Sequence, residues 1–336
     1  MLKQQGYIPH SRSPARGGAH LADTHVVGQY RTHSKHTTLH EDALMRWSIS
    51  EIYTAAKGFP NGLLSAQALR RYRRTRLEKT IRQRCQFCYL GTDVVVGRVL
   101  GKYKMFLGAE DISLTPHLLL DGFWELWITQ ALARFIRPGM VAVDVGANVG
   151  YYTLLLADLV GERGKVWACE PNPTIFPLLA ANVEVNGFAA RTHTVNKAIA
   201  DTEGQEVRLY IPKHHYGGSS IIAPPEPDTA PTTVQTVTLD SLLYTDVPVD
   251  FIKIDVEGAE RLVWEGMLQT IRSSEKIAIA LEFDARRYAD ADKFLHAIVK
   301  ENFQLRHIDY DSKIKNISAE QVLAGQAWCM LFLQRH

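Results

Sequence analysis

The stretch from Val141 to Thr153 reads Val-Ala-Val-Asp-Val-Gly-Ala-Asn-Val-Gly-Tyr-Tyr-Thr, an apolar strand followed by a glycine-containing turn and a helix start. A second apolar strand, 165–169, ends at Glu170, twenty-six residues after Asp144. A glycine turn after one parallel strand and an acid at the tip of the next are typical of nucleoside sites in open α/β sheets. Glycine lets the main chain approach a ligand closely, and an ionised carboxylate can accept from both ribose hydroxyls. The pattern therefore predicts a nucleoside site at the carboxyl edge of a parallel sheet.

The spacing of this turn distinguishes between nucleoside cofactors. A dinucleotide fingerprint reads G-x-G-x-x-G, whereas here Asp144-x-Gly146-x-x-x-Gly150 carries Asn148 at the middle position. An acid at the strand end repels a pyrophosphate but accepts a hydrogen bond from an ammonium group. The pattern favours a cationic cofactor such as S-adenosylmethionine. A nicotinamide-dependent oxidoreductase is the alternative from another enzyme class, and a non-catalytic binding protein on the same scaffold is a third.

Four motifs occur in the order found in a known family. They are the segments 144–153, 170–173 (Glu-Pro-Asn-Pro), 237–242 (Val-Thr-Leu-Asp-Ser-Leu) and 252–260 (Ile-Lys-Ile-Asp-Val-Glu-Gly-Ala-Glu). Together they resemble the FkbM family, S-adenosylmethionine-dependent methyltransferases that mostly act on hydroxyls of sugars and natural products. The resemblance covers about residues 90 to 335. It implies S-adenosyl-L-methionine as cofactor and a hydroxyl group as acceptor.

Strands and helices alternate after residue 140. The pattern predicts strands near 141–145, 165–169, 192–198, 249–255, 276–283, 303–309 and 327–334. It predicts helices near 149–160, 173–186, 257–270 and 289–300. Such alternation implies a mostly parallel sheet with helices on both faces. The family resemblance implies a Rossmann-like class I methyltransferase fold with seven strands, the last of them antiparallel.

Composition divides the chain into three predicted segments. Residues 1–44 hold six of the thirteen histidines and few apolar residues, so they are predicted to be a disordered leader, with Met45 as a candidate start. Residues 45–115 are predicted to be a helical and hairpin extension, and 116–336 the α/β domain. Within the extension, 70–84 carries eight Lys/Arg against one acid, a local charge of +7, although the whole chain is only +2. This basic segment predicts either a solvated helix face or peripheral contact with an anionic partner.

The cofactor site is predicted from the motif positions. The amides of the 146–150 turn face the methionyl part, with Asp144 accepting from its amine. Glu170 holds the ribose, and the two residues after it border the adenine. The predicted cofactor-binding residues are Asp144, Gly146, Ala147, Asn148, Gly150, Tyr151, Glu170, Pro171, Asn172 and Ala198.

A second chemical cluster lies in 252–260. Methylation of a hydroxyl requires its proton to leave as the bond forms, so a positioned base is expected. Asp255 and Glu257 are the first candidates for this catalytic role because they follow a core strand at the crevice. His215, in a Gly-Ser-Ser-containing loop, is the second candidate, and Glu282 is the third. No histidine adjoins the acids, and no metal is predicted.

The overall composition limits the location and the kinds of partner that are expected for this protein. No apolar run approaches the roughly 18 residues of a membrane span, and four cysteines in 336 residues do not form a disulfide scaffold. A cytoplasmic protein is predicted. The predicted acceptor is a small molecule or a glycan- or lipid-linked molecule; nucleic acid is not expected.

Overall fold

The computed structural model of this chain describes residues 63–91, 93–224, 230–243, 248–325 and 328–335. These residues belong to one unit that extends from Pro60 to His336. The predicted leader 1–44 and the candidate start Met45 lie outside the described residues. The division between 45–115 and 116–336 stays a prediction.

The described residues form fourteen strands in three sheets. In chain order the strands are β1 Phe87–Gly91, β2 Val94–Val99, β3 Tyr103–Gly108, β4 Val141–Val145, β5 Lys165–Cys169, β6 Thr192–Val195, β7 Ala198–Ile199, β8 Glu206–Leu209, β9 Thr232–Val237, β10 Phe251–Ile254, β11 Ala278–Phe283, β12 Arg306–Ile308, β13 Ile314–Asn316 and β14 Cys329–Gln334.

The main sheet has eight strands in the order β13-β12-β14-β11-β10-β4-β5-β6. Neighbours from β11 to β6 are parallel, and β14 is antiparallel to both β11 and β12. This order confirms the α/β, Rossmann-like class I methyltransferase fold, with the last strand, β14, antiparallel to its neighbours. The prediction of seven strands was one short, because β13 pairs with the far edge of β12. A strand of three residues is too short to produce a periodic pattern in the sequence.

Helices cover both faces of this sheet. In chain order they are α1 Ala66–Arg71, α2 Arg74–Arg82, α3 Thr115–Leu120, α4 Leu126–Phe135, α5 Tyr151–Val160, α6 Phe176–Val185, α7 Leu239–Leu243, α8 Glu260–Glu265, α9 Leu268–Ser273, α10 Ala291–Lys300 and α11 Ala319–Leu323. The predicted single helix at 257–270 is two helices, α8 and α9, separated by Gly266 and Met267. A Cβ at position 266 would lie 2.0 Å from the carbonyl oxygen of Ala200, so the close approach of these backbones requires glycine there.

The extension packs directly on the α/β domain. Buried residues of α1, α2 and the β1–β3 sheet, such as Leu69, Leu77 and Met105, share one apolar core with α4 and α5. The buried Asn182 side chain of α6 accepts from the Phe106 amide at 2.6 Å and donates to its carbonyl at 3.0 Å. Because these bonds join the edge of β3 to α6, the extension borders the carboxyl end of the main sheet, where the site lies.

None of the helices in the described part of the chain combines the length and the apolar character that a membrane span requires.

Candidate active site

A cavity opens at the carboxyl ends of β4, β5 and β10. Its walls come from the turn after β4, the end of β5, the start of β7, the loop before β9 and the loop after β10. Of the predicted site residues, eight line the cavity: Gly146, Ala147, Asn148, Tyr151, Glu170, Pro171, Ala198 and Asp255. Adjacent parallel strands end at the same edge of a sheet, so residues more than a hundred positions apart meet here.

Glu170 lies in the cavity wall with both carboxylate oxygens in use. Its Oε2 accepts from the Asn148 amide and its Oε1 from the Asn172 amide, each at 2.8 Å. Burial raises the pKa of Glu170 to about 7, although these two amides oppose the rise. A carboxylate has about four lone-pair positions. Two therefore remain for donors from a ligand in the cavity.

Gly146 is required for a reason that the sequence does not reveal. A Cβ at this position would lie 1.8 Å from the carbonyl oxygen of Asp255, and the residue has φ +79°. The sequence pattern explained this glycine by close approach of a ligand. The structure corrects that explanation, because the space is filled by the backbone of the neighbouring loop.

Five predicted site residues lie outside the cavity wall. Asp144 is fully buried behind it, and Gly150 and Asn172 belong to the turns that support the wall. Glu257 forms an ion pair with Arg287, and His215 is exposed, its Nδ1 accepting from the Gly218 amide at 3.1 Å. A ring nitrogen that already accepts a hydrogen bond is not free to take a substrate proton, so the position of His215 does not favour a catalytic role.

A buried charge cluster lies under the cavity floor. The Lys253 ammonium is 2.9 Å from Asp255 Oδ2 and 4.0 Å from Asp144 Oδ1. Burial alone would lower the pKa of Lys253, but the two carboxylates raise it overall. Asp144 Oδ2 accepts from Thr153 Oγ1 at 2.6 Å, while its Oδ1 has no hydrogen-bond partner among the described residues. Lys253 is therefore held charged, and one buried oxygen beside it can still accept a hydrogen bond.

Asp255 belongs also to a carboxylate group with Glu257 and Glu282. One oxygen from each lies within 4.8 Å of the others. Arg287 forms an ion pair with Glu257, and its Nη1 lies 3.3 Å from Glu282 Oε1. Burial would raise the pKa of Asp255, but Lys253 and a hydrogen bond to Glu282 lower it overall. Burial and the Asp255 charge raise the pKa of Glu282 to about 11. At neutral pH Asp255 is thus ionised and Glu282 protonated. The absence of a metal stays a prediction.

The protonated state of Glu282 predicts a pH dependence of stability. Since its pKa is raised from 4.5 to about 11, its stabilising contribution is complete below about pH 4.5 and is lost as the pH rises towards 11. Urea unfolding between about pH 6 and pH 9 should show a loss of up to ~1.4 kcal/mol per pH unit from this group. Glu282→Gln should lack this component, whereas Glu184→Gln, at an exposed position, should keep it. Equal slopes in all three proteins would contradict the protonation of Glu282.

The loop 212–222 forms one side of the cavity. Tyr216, Gly217 and the segment 219–221 line the wall. Ser219 Oγ accepts from Asn172 Nδ2 at 3.1 Å, and Ser220 Oγ donates to the Glu257 carbonyl at 2.7 Å. The loop is therefore bonded to the turn after β5, which contains Asn172, and to the loop after β10, which carries Asp255.

Several residues of this site were not found by sequence reasoning. Lys253 was recognised only as a neighbour of Asp255, although it lines the cavity. Glu125 has φ +38° and accepts from Tyr152 Oη at 3.0 Å, and burial followed by the charge of Asp255 raises its pKa to about 7. Trp124 lines both this cavity and a neighbouring one. Glu125 lines only the neighbouring cavity, and its left-handed conformation has no signal in the sequence because packing decides it.

Comparison with protein families agrees with this geometry. Residues 144–309 match the family model described as the Methyltransferase FkbM domain. The fold and the site define a class I methyltransferase domain, and the chain belongs to the FkbM family of methyltransferases. The family match confirms the prediction of S-adenosyl-L-methionine as cofactor.

Similarity to curated proteins is confined to short segments. The chain is 46% identical over 37 residues to ribosomal RNA large subunit methyltransferase E of Hahella chejuensis, covering 11% of this chain and 18% of that protein. It is 35% identical over 54 residues to protein-L-isoaspartate O-methyltransferase of Methanococcoides burtonii, covering 16% and 27%. The matched segments thus span less than a third of each relative.

Solved structures with related topology share little sequence with this chain. A SAM-dependent methyltransferase of Aquifex aeolicus has a TM-score of 0.37 and 13% identity, covering 66% of this chain and 94% of that one. A SAM-dependent O-methyltransferase of Thermotoga maritima has a TM-score of 0.34 and 15% identity, covering 61% and 62%. Because both TM-scores are below 0.5, the fold is assigned from the strand order of this chain itself.

The residues in the cavity fit the cofactor of the family. The cofactor carries a ribose with two hydroxyl donors, and Glu170 has lone pairs free on the cavity side. It also carries an ammonium and a sulfonium, and two acidic side chains, Glu170 and Asp255, line the cavity. The hydrogen-bond donors and positive charges of the cofactor are therefore complementary to the acidic residues that line the cavity.

Proposed function

We propose that this protein transfers a methyl group from S-adenosyl-L-methionine to a hydroxyl of a small-molecule acceptor, either a sugar, a glycolipid or a natural product. One observation carries the proposal: Asp255, held ionised by Lys253, lines the same cavity as Glu170. A carboxylate that can hold the cofactor and a carboxylate that can take a proton therefore line the same cavity.

The roles of the residues follow from their contacts. When bound, the cofactor would supply a methyl group on its sulfonium, and the sulfur would leave as a neutral thioether. Glu170 accepts from the ribose hydroxyls, the 146–148 backbone and Tyr151 border the methionyl part, and Ala198 forms an apolar wall. Asp144 lies behind the wall, with its Oδ1 4.0 Å from the Lys253 ammonium, and acts through that residue.

Asp255 is proposed to take the proton of the acceptor hydroxyl. Its Oδ2 accepts from Lys253, and Glu282, protonated at neutral pH, donates to the same carboxylate. These two donors orient the Asp255 carboxylate and keep it ionised until the hydroxyl that receives the methyl group becomes acidic enough to lose its proton. Of the three predicted catalytic residues, Glu257 and His215 lie outside the cavity wall, which supports Asp255 over both.

Calorimetric titration with S-adenosylhomocysteine, with NADH as the paired control, tests the proposal first. We expect binding of S-adenosylhomocysteine and not of NADH, followed by transfer of tritiated methyl from the cofactor to hydroxylated acceptors. Binding without transfer to any hydroxyl would favour the non-catalytic alternative. Binding of NADH alone would contradict both the proposal and the cofactor.

A further inference from the structure

The strand β1 leaves large apolar side chains in water. It pairs with β2 on one edge, and its other edge is unpaired among the described residues. Phe87, Tyr89 and Leu90 are 60%, 59% and 52% exposed. Since neighbouring side chains of a strand point to opposite faces, both faces of β1 are accessible. Exposed apolar edge strands are usually protected or engaged by a partner.

A fourth apolar residue extends this surface. Cys85, two positions before β1, donates through Sγ to the carbonyls of Leu118 and Leu119 at 3.4 and 3.1 Å. These bonds place the C-terminal end of α3 beside the start of β1. The next residue, Leu120, is 74% exposed. We call Phe87, Tyr89, Leu90 and Leu120 the apolar edge.

Exposed positive charges adjoin the apolar edge. Of the eight basic residues in 70–84, some are used internally: Arg70 donates to the carbonyls at the end of α4, and Arg82 pairs with Asp121 at 2.7 Å. The pair from Arg82 to Asp121 brings the end of α2 next to Leu120. By contrast, four exposed cations have no ion-pair partner within the part of the chain that the structure describes: Arg71, Arg73, Arg76 and Lys79. We call these four the basic face.

We propose that the basic face and the apolar edge together dock the protein on membranes that contain anionic phospholipids. Cations beside exposed apolar side chains match a surface of negative headgroups above hydrocarbon. Nucleic acid also attracts cations and stacks on aromatic rings, but Leu90 and Leu120 offer no stacking face. The observations therefore favour lipid. The proposal does not depend on the proposed methyl transfer, because it concerns a surface outside the cavity.

Vesicle flotation of the full chain tests the proposal. The protein should bind vesicles of about three-to-one phosphatidylcholine and phosphatidylserine, should not bind phosphatidylcholine alone, and should be released by salt. Each Lys or Arg near an anionic surface contributes roughly fivefold in affinity. The combined variant Arg71→Gln, Arg73→Gln, Arg76→Gln and Lys79→Gln should therefore bind on the order of 100- to 1,000-fold more weakly.

Two further variants distinguish the effect of this surface from the effects of net charge and of misfolding. A second combined variant removes four other exposed cations and should bind like the wild type. Its substitutions are Arg163→Gln, Lys276→Gln, Lys293→Gln and Lys300→Gln. Tyr89→Ser with Leu90→Ser should weaken binding while thermal unfolding stays unchanged, because both side chains are exposed. Equal loss in both charge variants, or binding to neutral vesicles alone, would overturn the proposal. So would binding to a single-stranded RNA oligonucleotide in the absence of any vesicle binding.

Discussion

Replacement of Glu170 by alanine is expected to weaken S-adenosylhomocysteine binding roughly 100-fold, or by about 3 kcal/mol. In the proposed site one carboxylate accepts from two ribose hydroxyls, and hydrogen bonds to charged groups contribute about 1.5–3 kcal/mol each. The variant also removes the acceptor of the Asn148 and Asn172 amides, so the turn itself loses support. Calorimetry measures the change, with Glu184→Ala, on the exposed face of α6, as the matched control.

The raised pKa of Glu170 adds a pH signature to this result. Because burial raises its pKa to about 7, the carboxylate that accepts hydroxyls is lost as the pH falls below 7. The wild type should bind S-adenosylhomocysteine roughly tenfold more weakly at about pH 6 than at about pH 8, as expected for one group titrating at 7. Glu170→Gln should lack this dependence. A wild-type affinity that does not change with pH would assign the ribose to another residue.

Replacement of Asp255 by asparagine is expected to lower the methyl-transfer rate by about 10²- to 10⁴-fold, the usual contribution of a general base. Cofactor affinity should remain within about threefold, because Glu170 and the 146–150 turn are unchanged. The measurement is transfer of tritiated methyl to the acceptor found in the screen, together with calorimetric titration of the cofactor product.

A stability measurement and two control variants belong to this test. Asp255→Asn leaves Lys253 with only Asp144 at 4.0 Å, so unfolding must be followed to separate chemistry from loss of the fold. Glu257→Gln and His215→Asn should each change the rate by less than about tenfold, since neither lines the cavity. Near-normal turnover by Asp255→Asn would remove it as the base.

Much of the fold could be predicted from local patterns. The predicted strands 141–145 and 165–169 coincide with β4 and β5, since continuous apolar runs bounded by turn residues are the signature of buried parallel strands. The added strand β13 and the break between α8 and α9 were not predicted. Each depends on a contact with a distant segment, and a pattern of neighbouring residues carries no record of that contact.

The sequence by itself determined the order of the elements, the glycine turn and the identity of the acids at the strand ends. Those acids predict the cofactor because their chemistry is local: a carboxylate after a parallel strand faces the crevice in any fold of this kind. Only the tertiary structure decided what each of them touches. It buried Asp144 beside Lys253, gave Glu282 the proton that leaves Asp255 ionised, and turned His215 away from the cavity. Charge state and accessibility depend on burial and on partners far away in the chain, and these arise only when the strands are assembled side by side.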